Sequence, residues 1–74
     1  MIDESGLRSA LRANVPRLRR AKGMSQEALA KEIGISRIQL SRLENGKHTP
    51  GADALFSLAD ALGVPADCLR QVSG

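Results

Sequence analysis

The 74-residue sequence has no tryptophan or tyrosine, and only one phenylalanine, one cysteine and one histidine. A lone Cys68 excludes an intramolecular disulfide or a cysteine cluster for zinc, and it suits a reducing compartment. With one histidine and no paired carboxylates at catalytic spacing, nothing is available as an activated nucleophile or metal centre. No enzyme is expected, and no cofactor, metal or small-molecule ligand. No apolar run approaches the ~20 residues of a membrane-spanning helix. The opening Met1 to Gly6 has neither the basic region nor the apolar core of a secretion signal. These absences predict a soluble, cytoplasmic protein with no membrane partner, and the length predicts a single domain, 1–74.

What is present is charge of uneven distribution. Residues 1–50 hold ten Lys/Arg against five Asp/Glu, whereas 51–74 hold one against three. The net +3 therefore hides a basic front and a weakly acidic end. Clustered positive charge suits a polyanion, because neutralising phosphates releases condensed counterions. It also suits a solvated basic face with no partner.

Hydrophobic spacing is helical nearly throughout, with no alternating run long enough for a strand. Leu7, Leu11, Val15 and Leu18 mark one face of a helix over about 5–22. Pro16 interrupts it, so either the helix kinks, the favoured reading, or a new one begins with Asn14 as cap. Gly23 ends it. Ser25 caps a second helix over 26–33, with Leu29, Ala30 and Ile33 inward and Gly34 closing it. Ser36 and Gln39 have the spacing of a capping box opening a third helix over 37–45, which buries Leu40 and Leu43 and stops at Asn45-Gly46. A fourth helix over 52–62 carries Leu55, Leu58, Ala59 and Leu62 and ends at Gly63. A fifth, over 65–72, has Pro65 at its first position and Leu69 and Val72 inward.

Only Gly34 and Ile35 separate the second and third helices, a connection that forces a steep crossing. Ala30 and Gly34 are expected to be small because the third helix crosses there. Two short helices joined in this way describe a helix-turn-helix. The sequence here resembles the phage-repressor and Cro-like (XRE-type) DNA-binding domains over roughly 15–64. The resemblance rests on Arg17-Leu18-Arg19, Gly23-Met24-Ser25-Gln26-Glu27, Leu29-Ala30, Gly34-Ile35-Ser36, Leu40 through Gly46, Pro50 and Leu58 through Val64. It implies an all-α, compact five-helix repressor-like domain and double-stranded DNA, read in the major groove, as partner.

On the third helix Arg37, Ile38, Ser41, Arg42 and Asn45 share the face opposite Leu40 and Leu43. By resemblance Arg37, Ile38 and Arg42 touch base edges, the arginines being candidates for bidentate contact with guanine. Ile38 either meets a thymine methyl or is partly buried against the second helix. Gln39 either reaches back to the Ser36 N–H as a cap or contacts DNA. Gln26, at the start of the second helix, suits an anion. With Asn45 and Lys47 it is assigned to phosphate, Arg17 and His48 being further candidates. A lone loop histidine is otherwise simply solvated. In the family, residues matching Arg19 and Glu44 often form a semi-buried ion pair, and both are present here.

Pro16, Gly51 in place of a Ser/Thr cap, and Phe56 off the main stripe of its helix depart from the family pattern. A small domain gains by burying its only aromatic, so Phe56, with Leu69 and Val72, is expected at a homodimer interface. The leading function is a homodimeric, sequence-specific transcription regulator on a palindromic operator. The alternative is an antitoxin-like module that binds a protein partner through the same fold.

Overall fold

The computed structural model describes residues 4–71, with side chains from residue 6 onward. The leucine stripe at the front of the chain forms α1, Glu4–Ala21, which continues through Pro16. Leu11 and Val15 are fully buried on it, with Leu7 and Leu18 packed partly buried against the same core. Its end is closed over Gly23 by the Met24 N–H donating to the Arg19 carbonyl at 3.0 Å. Asn14 does not cap a second segment. It lies inside α1, buried, and its Nδ2 donates to the carbonyls of Cys68, Leu69 and Gln71 at 3.1, 3.2 and 2.6 Å.

α2, Gln26–Ile33, starts where Ser25 Oγ accepts from the Ala28 N–H at 3.0 Å. α3, Arg37–Glu44, starts with the capping box: Gln39 N–H donates to Ser36 Oγ, and Ser36 N–H to Gln39 Oε1, both at 3.0 Å. Between them Gly34 stands at φ +80°, and the Gly34 and Ile35 N–H groups both close on the Ala30 carbonyl. The expected reason for this glycine is corrected by the geometry. A Cβ added at Gly34 would meet nothing within 4 Å, so its size matters for the left-handed backbone and not for the helix crossing. Ala30, 2% exposed, is the small residue at the packed interface.

α4, Ala52–Leu62, follows Gly51, which caps it without a side-chain bond. α5 is shorter than the spacing suggested, Ala66–Arg70, with Pro65 as its cap at ψ 149° and Gln71 already extended. The end of α5 is instead gathered by Asn14, whose amide takes the carbonyls that a longer helix would have used. No strand occurs among the described residues. α1 packs on α3 and α5, α2 on α3 and α4, and α4 on α5, around a shared core of Leu11, Leu29, Leu40, Leu43, Leu58 and Leu69. Leu69 is therefore not an interface residue. It is fully buried within the monomer, because the Asn14 anchor draws α5 down onto the core. Val72 lies outside the described residues. No helix among the described residues is long and apolar enough to cross a membrane.

Candidate nucleic-acid interface

α3 is held by its inner face, where Leu40, Leu43 and Glu44 are buried. Its opposite face is bare. Arg37, Arg42 and Asn45 are exposed there, Ser41 is half-buried, and Ile38 is 60% exposed. Ile38 therefore keeps most of its branched apolar side chain in solvent, beside the exposed Arg37 and Arg42. Gln39 is engaged as a cap through its Oε1. Asn45, one residue past α3, donates from Nδ2 to the Ser41 carbonyl at 2.8 Å, which fixes its side chain over the end of the face. Lys47 and His48 extend the same edge, both exposed.

Glu44 would place a carboxylate close to any polyanion on this face, and the fold neutralises it. Arg19 donates from Nε to Glu44 Oε2 at 2.7 Å and from its second terminal nitrogen to Oε1 at 3.1 Å, a bidentate fork with side chains only 9% and 5% exposed. Its remaining terminal nitrogen donates to the Met24 carbonyl at 2.8 Å. The hydrogen bond to Glu44 raises the Arg19 pKa, burial opposes it, and the charge of Glu44 adds to the rise. The pair ties α1 to α3 and so sets where the bare face points.

Gln26 belongs to this network: its Nε2 donates to Glu44 Oε1 at 3.0 Å while the residue sits half-buried at the first position of α2. That role has no signature in residue spacing, since the two lie 18 positions apart. Arg17 is not brought to this face. It lies two residues, about 200° of helix turn, from Arg19, and donates to Asn14 Oδ1 at 3.3 Å on the side of α1 that meets α5. Phe56 is 57% exposed on α4. Among the described residues no group of three or more His, Cys, Asp or Glu is placed to hold a metal.

Two short capped helices sharing a glycine turn, the second offering a bare polar face edged by cations, define a helix-turn-helix DNA-binding domain. A helix-turn-helix family model matches residues 17–67, the whole of α2, α3 and α4. An uncharacterized HTH-type transcriptional regulator, y4dJ, of Sinorhizobium fredii is 43% identical over 58 residues, covering 78% of this chain and 75% of that protein. A hypothetical transcription factor of Neisseria meningitidis is 38% identical over 64 residues, of which the chain spans 86% of itself but 60% of the relative. The crystal structure of the hypothetical transcription factor NHTF from Neisseria superposes with a TM-score of 0.87 at 34% identity, over 99% of this chain and 82% of that one. The chain belongs to the phage-repressor and Cro-like (XRE-type) helix-turn-helix family, whose members are DNA-binding transcriptional regulators and not enzymes.

Proposed function

We propose that the chain is a sequence-specific regulator that places α3 in the DNA major groove and acts as a homodimer on a palindromic operator. The observation that carries the reading is Ile38, an exposed isoleucine flanked by the exposed Arg37 and Arg42. A thymine methyl gives such a side chain an apolar contact, and guanine O6 and N7 give the arginines bidentate acceptors. Ser41 and the free amide nitrogen of Gln39 complete the base-reading set. Gln26, Asn45, Lys47 and His48 meet phosphates and hold register. Such a protein works in the cytoplasm with the DNA, where an exposed free Cys68 is compatible with reducing conditions.

Phe56 supports the dimer. It borders a surface groove of about 330 Å³ at the α4–α5 corner, lined by Ala59, Val64, Pro65 and Ala66 together with Ser57 and Asp60, a mixed apolar and polar surface that a second copy can cover. Selection of bound sites from a random duplex pool tests the proposal, with sedimentation of the free and bound chain. A roughly palindromic site with half-sites about 34 Å apart is expected. Recovery of one short asymmetric site by a chain that stays monomeric refutes the dimer. Co-purification of a different protein through the Phe56 corner would favour an antitoxin-like module instead.

A further inference from the structure

Beside the end of α3 the first turns of α1, none of whose residues is assigned above, form a basic cleft with Asn45 and Gly46. Arg8, Ser9, Arg12, Asn45 and Gly46 line a hollow of about 170 Å³, with no carboxylate among the described residues that line it. The two elements are in close contact there: a Cβ at Gly46 would lie 3.4 Å from Arg12 Cδ and 3.6 Å from the Arg8 carbonyl oxygen. Arg8 and Arg12 are four apart and so share one helix face. Further along the same stretch Arg17 donates to Asn14, Arg19 to Glu44 and Lys22 to the Ala61 carbonyl, while Arg20 is exposed. Arg8 and Arg12 have no hydrogen bond or ion pair among the described residues.

We propose that Arg8 and Arg12, with the Asn45 side chain between them and the recognition face, bind a DNA backbone phosphate and extend the interface onto α1. The inference rests on the DNA-binding reading above. Two guanidinium groups on one face, unpaired among the described residues, repel each other, and a phosphate accepts forked N–H donors from both. The competing role is structural, since cations also offset the carbonyl end of a helix. That end of α3 already has its donors. The carbonyls of Ser41, Arg42 and Leu43 accept from the N–H groups of Asn45, Lys47 and Gly46. Asn45 stands both in the cleft and on the bare face of α3, so one phosphate strand can follow the two without a gap. Both arginines also precede residues 17–67, so the cleft adds to the face formed by the family-matched part of the chain.

The test titrates a mixed-sequence DNA duplex with the full chain at several salt concentrations, comparing wild type, R8Q/R12Q and R8K/R12K. Each phosphate contact contributes about 0.9 to the slope of log affinity against log salt. R8Q/R12Q should lose about one of that slope, the share of the single phosphate the pair holds, while R8K/R12K should retain it. R8Q and R12Q singly, each expected to lose a part of it, serve if the double variant folds poorly. An unchanged slope in the glutamine variants overturns the cleft, and an unchanged slope with a lowered melting midpoint assigns the arginines to the α3 end instead. Failure of the wild type to bind any duplex would instead overturn the DNA-binding reading itself.

Discussion

Replacing Arg19 with alanine should cost the fold about 3 kcal/mol. The substitution removes both arms of the fork on Glu44, at 2.7 and 3.1 Å, and the donor to the Met24 carbonyl at 2.8 Å. It leaves a carboxylate that is about 95% buried with one remaining donor, Gln26 Nε2 at 3.0 Å. Breaking a buried pair from one side costs about 3–5 kcal/mol, and the surviving Gln26 bond places this case at the lower end. A chain of 74 residues has only about 4–11 kcal/mol of stability in total, at roughly 0.05–0.15 kcal/mol per residue. Much of it would go. Urea melts of Arg19→Ala, Glu44→Ala and the double variant measure the coupling: the double variant should lose less than the sum of the singles, because no charge is then stranded. Arg19→Met with Glu44→Leu should fall within about 1 kcal/mol of wild type or exceed it. Since the Arg19 pKa is raised, its contribution is complete below the ordinary arginine range and lost only above it. The arginine itself therefore adds no pH dependence near neutrality. An Arg19→Ala variant within about 0.5 kcal/mol of wild type, but with weakened DNA binding, would refute the reasoning and make Arg19 a phosphate contact.

Asn14→Ala should destabilise the fold by about 1–3 kcal/mol, because it strips the donor from three carbonyls at the end of α5; amide exchange in 66–71 should accelerate, and unchanged exchange there would count against the anchor. Gly34→Ala should cost about 1–2 kcal/mol in a urea melt through its φ of +80° alone, since the added methyl meets nothing within 4 Å. In DNA titrations Arg42→Ala should lose about 1–3 kcal/mol of binding and relax the preference at one position per half-site. Lys47→Ala should weaken operator and unrelated duplexes alike and lower the salt slope by about one. If Arg42→Ala weakened both equally with specificity intact, the recognition face would lie elsewhere on α3.

The sequence by itself determined the helices and their starts, because these depend on neighbours along the chain. The Ser25 and Ser36 caps act over three residues, the left-handed glycines end helices in place, and a 3.6-residue period marks Leu11, Leu29, Leu40 and Leu58 as inward. The Arg19–Glu44 pair was legible too, through resemblance and not through spacing. Only the tertiary structure decided what the rest of each helix's circumference meets. Asn14 reads as a helix cap beside Pro16 until α5, 54 to 57 residues away, supplies three carbonyls to it. Leu69, inward by spacing yet expected also at a partner chain, is buried within the monomer, and the bond from Gln26 to Glu44 exists only because α3 brings the carboxylate to the start of α2. Ile38 could have faced α2, and the packing left it in solvent. Arg8 and Arg12 are two among ten cations in residues 1–50 until α1 sets them against the end of α3. Periodicity encodes which side of a helix is apolar. It does not encode which partner comes to the other sides, and that depends on contacts closed between residues far apart in the chain.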